Sequence, residues 1–86
     1  MTAAERVARN IRRYRVRQGL SQEALAVDAA IDRTYVSRLE RQAENPTVAV
    51  LDRLARALGC DIRDLFDDPG PDDVPTLPNG RKKTTR

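Results

Sequence analysis

The 86-residue sequence predicts an all-α fold of five helices around one core. Three observations carry that expectation. Apolar residues recur at helical spacing in successive stretches. A Ser, Asp or Thr stands at the start of three of those stretches. Gly19, Gly59 and the pair Asn45-Pro46 interrupt the chain between them.

The first helix is expected over residues 3–18, with Val7, Ile11 and Tyr14 on one face and Arg6, Arg9, Arg12, Arg13 and Arg17 mostly elsewhere on the wheel. Gly19 follows, where a left-handed terminating residue costs least without a Cβ, and Leu20 turns inward. Ser21 is placed to cap a second helix over residues 22–29, because its hydroxyl can accept a first-turn amide. Leu25 and Ala26 face the core, and Ala29-Ala30-Ile31 makes a tight turn. Asp32 caps a third helix reaching about residue 41, with Val36 and Leu39 inward and Tyr35 beside them. Asn45, ahead of a proline, is pushed out of the helical region. Thr47 then caps a fourth helix that reaches residue 58 and buries Val50, Leu51, Leu54 and Leu58. Gly59 ends it, and a short fifth helix at 62–66 offers Ile62, Leu65 and Phe66. Residues 1–66 therefore read as one domain. Four of the five prolines follow Phe66, so residues 67–86, closing on RKKTTR, read as a Pro-rich linker and a basic, flexible tail.

A chain this short can bury one modest core and is marginal unless oligomerisation, metal or disulfides help. A single cysteine, Cys60, and no histidine exclude an intramolecular disulfide and a conventional zinc set. No apolar run is long enough to span a membrane and no signal-peptide core is present, so a cytoplasmic location is expected. An enzyme is not expected either. There is no Gly-rich phosphate loop and no Cys/His or Ser/His pair, and the acids fall at caps and surface positions. Neither a cofactor nor a small-molecule ligand is indicated.

Charge is unevenly spread. Residues 1–20 hold six arginines against one glutamate, a balance of +5, whereas residues 21–66 come to −2 and residues 67–86 to 0. A local basic surface suits a nucleic-acid partner, although a solvated Arg-rich helix would look the same. The third helix says more. With Val36 and Leu39 turned inward, Arg33, Thr34, Ser37, Arg38 and Arg41 face outward as one strip. A short helix, a tight turn and a polar-faced helix are the layout of a helix-turn-helix, whose second helix lies in the DNA major groove. Arginine there can donate two bonds to guanine O6 and N7, and the Thr34 methyl can meet a thymine methyl. Ser37 is small enough for close approach. The competing reading is an ordinary solvated helix face.

The succession SQEALA, a turn, DRTYVSRLE, ENPT and VLDRLARALG resembles the Cro/CI-type helix-turn-helix family, also called the XRE family, over roughly residues 5–66. The resemblance implies a five-helix, lambda-repressor-like domain that binds double-stranded DNA, usually as a homodimer on a palindromic operator. Such proteins are mostly regulators in bacteria, phages and mobile elements: repressors, Cro-like switches or controller proteins. Arg33, Thr34, Ser37 and Arg38 fall on base-contacting positions of the family. Gln22 matches the glutamine that bonds a phosphate and braces the reading helix, and Arg41 and Asn45 match phosphate-contacting positions. Arg17 and Arg13 are further phosphate candidates, placed by the proximity of the first helix's end to the second helix. Asp32 is expected to cap. The resemblance also implies that Arg15 pairs with Glu40 and ties the first helix to the third; if buried, that pair costs about 3–5 kcal/mol to break, and if exposed it is worth roughly 0–1 kcal/mol. Two residues depart from the pattern. Ala30 stands where the family usually has Gly, at a cost of roughly 1 kcal/mol if φ is positive there. Gln42 replaces another common Gly and leads one to expect a differently shaped loop.

Cys60, Ile62, Leu65 and Phe66 are the expected dimer interface, since two linked half-sites add their binding energies. The alternative is that all four complete the core. Cys60 itself is expected to be a small, unreactive residue. The tail is either a DNA-contacting basic arm or a solubilising end. The rival function is a protein-binding module, an antitoxin-type or antagonist protein.

Overall fold

In the computed structural model, which describes residues 1–70, every helix starts at a side-chain cap. α1 (Ala3–Arg17) opens on a capping box, in which the Thr2 hydroxyl accepts from the Glu5 amide and the Glu5 carboxylate accepts from the Thr2 amide. Those bonds from Thr2 hold the Glu5 carboxyl below its ordinary range. The expected caps serve the next three helices. Ser21 caps α2 (Gln22–Ala29), Asp32 caps α3 (Arg33–Glu40) and Thr47 caps α4 (Val48–Leu58). Gln18 and Arg41, expected inside helices, are the residues on which α1 and α3 end. The fifth helix is a 3-10 turn, Ile62–Phe66, capped by Asp61. Five residues suit the tighter i→i+3 bonding, seen from the Asp64 amide to the Asp61 carbonyl at 2.9 Å.

All four α-helices close in the same way. The residue past the end is left-handed, and the amide after it reaches back to a carbonyl five residues earlier. Leu20 bonds Arg15 at 3.0 Å, Ile31 bonds Ala26 at 2.9 Å, Ala43 bonds Arg38 at 2.8 Å and Cys60 bonds Ala55 at 3.0 Å. Gly19 and Gly59 supply the left-handed residue after α1 and α4, at φ +70° and +72°. Ala30 and Gln42 supply it after α2 and α3, at φ +58° and +63°. The loop at Gln42 therefore does not depart from a glycine-type ending. Gln42 takes the conformation glycine favours and carries the strain of its Cβ.

The core gathers Val7 and Ile11 of α1, Leu25, Ala26 and Ala29 of α2, Val36 and Leu39 of α3, and Leu51, Leu54, Ala55 and Leu58 of α4. Tyr14, Tyr35 and Val50 pack against it half-buried. Leu65, expected at a dimer surface, is 0 % exposed and closes the bottom of this core, so a partner cannot touch it without unfolding the turn.

The 3-10 turn is fastened to α1 by side chains. Buried Asn10 donates to the carbonyls of Leu65 at 2.9 Å and Asp67 at 2.8 Å. Arg6 donates to the Phe66 carbonyl at 3.3 Å and Arg13 to the Pro69 carbonyl at 3.0 Å. Spaced by four and three residues, these donors lie on one face of α1. Residues 67–70, expected to open the tail, thus run against α1, and Pro69 is buried. The remainder of the expected tail, 71–86 with its RKKTTR end, lies outside the described residues.

Candidate nucleic-acid interface

α3 is anchored on one side and open on the other. Val36 and Leu39 are sealed into the core, which turns Arg33, Thr34 and Arg38 to solvent and leaves Ser37 half-exposed between them. Arg41 is exposed at the helix end. The Asp32 carboxylate accepts from the Thr34 amide at 2.7 Å, so it is engaged in capping. It also leaves the negative charge at the N-terminus, where the helix dipole favours it.

The anchor is ionic as well as apolar. Arg15 Nε donates to Glu40 Oε2 at 2.7 Å and Arg15 Nη2 to Glu40 Oε1 at 3.0 Å, a two-pronged contact. The side chains are only 9 % and 4 % exposed. Arg15 Nη1 donates to the Leu20 carbonyl at 2.8 Å, and Gln22 Nε2 donates to Glu40 Oε1 at 3.1 Å. Both charges are thus paired and further hydrogen-bonded, the condition under which a buried ion pair is tolerated. The network joins α1, the loop before α2, the first residue of α2 and the last residue of α3. It fixes α3 against the rest of the fold.

The other sequence-derived candidates are spread around this helix. Gln22 stands at the start of α2 with its amide nitrogen on Glu40. Arg17 is exposed at the end of α1, and Asn45 is exposed in the loop after α3. Arg13 is turned the other way, onto the carbonyl of Pro69. Toward the proposed dimer edge, Phe66 is exposed, and Cys60 and Ile62 are half-buried. Burial, then Asp64 and Asp61, push the Cys60 thiol up, which disfavours the thiolate. Phe66 also borders an apolar groove of about 170 Å³, with Ala3, Val7, Leu39, Pro46 and Leu51 on its walls.

Three residues that make structural contacts lack a signature in the sequence. Glu44 accepts from Arg38 Nη1 at 3.3 Å. Arg53 of α4 donates to the carbonyl of Ala30, in the turn between α2 and α3, at 3.4 Å. Asn10 holds the closing turn. Asn10 and Arg53 act on partners brought near only by the tertiary fold, and Glu44 reaches Arg38 only through the chain reversal at Gln42, so no spacing rule points to any of them. Thr2, not among the expected caps, does have a signature: Thr-x-x-Glu ahead of a helix is a capping-box signal. Among the described residues, no group of side chains could hold a metal ion, and no helix is long and apolar enough to cross a membrane.

Comparison with known proteins places this geometry. The helix-turn-helix family HTH_3 matches residues 11–65. A hypothetical transcription factor of Neisseria meningitidis serogroup B is 45% identical over 53 residues, which cover 62% of this chain and 50% of that protein. This chain thus spans about half the length of that relative. The restriction-modification controller protein C.AhdI from Aeromonas hydrophila is similar in structure, with a TM-score of 0.71 and 36% identity over 73% of this chain and 96% of its own. SinR, a master regulator for biofilm formation solved in complex with DNA, gives a TM-score of 0.68 and 29% identity over 71% of this chain and 98% of its own. The chain therefore belongs to the HTH_3 helix-turn-helix family of DNA-binding transcriptional regulators, the Cro/CI type that its sequence resembles.

Proposed function

We propose that the chain binds a palindromic operator as a homodimer and controls transcription by blocking or recruiting the transcription machinery there. The observation that carries this reading is the division of α3. Its inner side is clamped by Arg15 and Glu40, while Arg33, Thr34, Ser37 and Arg38 stand on its open side. A reading helix needs both, because base recognition depends on side chains delivered at fixed height and rotation in the major groove. Arg33 and Arg38 read guanine edges, Thr34 offers a hydroxyl and a methyl, and Ser37 permits close approach. Gln22, Arg41, Asn45 and Arg17 neutralise or hydrogen-bond the flanking phosphates, which sets register and makes binding salt-dependent. Arg13 is left out, since its guanidinium is directed to Pro69.

Dimerisation runs through the edge formed by Cys60, Ile62 and Phe66, with Leu65 behind it as core. Phe66, 41 % exposed, is the apolar side chain there with most surface to cover. Among the regulator types, a controller protein of a restriction-modification system fits best, on the likeness to C.AhdI. SinR, solved with DNA, supports DNA as the partner.

Gel-shift with the DNA upstream of the chain's own gene tests the proposal. Specific binding that weakens steeply with salt is expected, together with a dimer in sedimentation at micromolar concentration. Binding only to a co-expressed protein, or a chain that stays monomeric even on its operator, would overturn it.

A further inference from the structure

Arg38 and Glu44 lie six residues apart, a separation at which one continuous helix would carry them to different faces. Gln42 brings them together. Its left-handed conformation folds the chain back, so that the Ala43 amide bonds the Arg38 carbonyl at 2.8 Å. Glu44 then follows with its Oε2 3.3 Å from Arg38 Nη1. The contact is solvent-facing, with the Arg38 side chain 55 % and the Glu44 side chain 24 % exposed. It engages one nitrogen only. Among the described residues, Nε and Nη2 of Arg38 have no acceptor, and these two donors form one straight edge of the planar guanidinium.

We infer that Glu44 is a specificity-determining residue that positions Arg38 by holding Nη1, so that the Nε–Nη2 edge is presented to a paired acceptor such as guanine O6 and N7. The inference rests on the reading of α3 as the base-contacting helix. Two physical effects support it. An arginine side chain has several rotatable bonds, and fixing its fork before binding reduces the ordering cost paid on contact. A carboxylate beside the guanidinium also repels phosphate, which disfavours the competing use of Arg38 as a backbone anchor. Base contacts specify, whereas phosphate contacts bind any sequence. Glu44 therefore trades general affinity for discrimination.

Binding-site selection from a randomised duplex pool tests this, run with the wild-type chain and with Arg38→Ala, Glu44→Ala and Glu44→Gln. Arg38→Ala is expected to flatten the preference for G at one base pair of each half-site. Glu44→Ala should flatten that same position by about two- to fivefold, less than Arg38→Ala does, because an exposed single-bond contact can bias the Arg38 fork by no more than that, and leave the other positions alone. Glu44→Gln keeps an oxygen that accepts from Nη1 and should retain more of the preference. Both Glu44 variants should bind an unrelated duplex more tightly than the wild type at low salt, because a repulsive charge is gone. A merely structural role would instead lower the melting midpoint and weaken all sequences together. The inference is overturned if Glu44→Ala keeps the full preference at the position read by Arg38. It is equally overturned if Arg38→Ala flattens nothing; a wild-type chain that selects no sequence at all would show that the base-reading role of α3 had failed first.

Discussion

α3 makes two arginine–carboxylate contacts, one on each side, and they are built differently. Arg15 and Glu40 meet through two parallel bonds of 2.7 and 3.0 Å, almost out of reach of water, with Gln22 and the Leu20 carbonyl taking up further polar capacity. Arg38 and Glu44 share a single 3.3 Å bond in the open. Screening and side-chain entropy leave little energy in the second contact, whereas the first has no water to fall back on. The difference teaches how one short helix does two things. Its inner end is made immovable by charges that cannot part cheaply, and its outer face carries a charge that can be lent to another partner.

Breaking the inner contact should have the largest effect. Glu40→Gln leaves Arg15 buried and unpaired, so a loss of about 3–5 kcal/mol is expected. In a domain of this size that lowers the melting midpoint by well over 10 °C, at roughly 4–8 °C per kcal/mol. A midpoint unchanged in calorimetry would mean the pair is worth no more than a surface one. Next come the phosphate candidates at the rim of the open face. Gln22→Ala and Arg41→Ala should weaken operator and unrelated duplex alike, and Arg41→Ala should reduce the salt slope of binding by about 1. Selective loss on the operator alone would move either residue to the base-reading group. Gln22 should also cost some stability, because its amide bonds Glu40.

The helix ends offer a smaller and opposite effect. α1 and α4 close on glycines, whereas α2 and α3, the two helices of the helix-turn-helix, close on Ala30 and Gln42 at positive φ. A non-glycine residue in that region costs roughly 1–2 kcal/mol, part of which the stiffer unfolded chain returns. Ala30→Gly and Gln42→Gly should therefore each raise stability by about 1 kcal/mol in denaturant titration, and the two gains should add. No gain at either would show that the surrounding bonds have already relaxed the strain. The outer ion pair comes last. Glu44→Gln should change the melting midpoint by less than about 1 kcal/mol equivalent, in contrast to Glu40→Gln.

Much of this was legible because it depends on near neighbours. Ser21, Asp32 and Thr47 cap by bonding amides two or three residues ahead, and Gly19 and Gly59 end helices through a conformation glycine alone takes freely. The same rules put Val36 and Leu39 inside and so turned Arg33 and Arg38 outward. What stayed hidden depends on residues distant in sequence or on a reversal of the chain. Asn10 on the Arg-rich first helix reads as a surface residue, yet it is 2 % exposed and bonds carbonyls more than fifty positions away. Leu65 sits in a short terminal element, which has no period from which to judge its face, and it is buried. Glu44 needed the left-handed Gln42 to reach Arg38, and the sequence pattern suggested a different loop there.

The base preference of Arg33→Ala, read by selection from a randomised duplex pool alongside its melting midpoint, tests the division of α3 most directly. Arg33 is exposed at the first residue of the helix and belongs neither to the core nor to the Arg15–Glu40 clamp. Loss of preference at one base step of each half-site, worth about 1–3 kcal/mol, with an unchanged midpoint is the expected result. An operator preference left intact would contradict the assignment of this face to the bases.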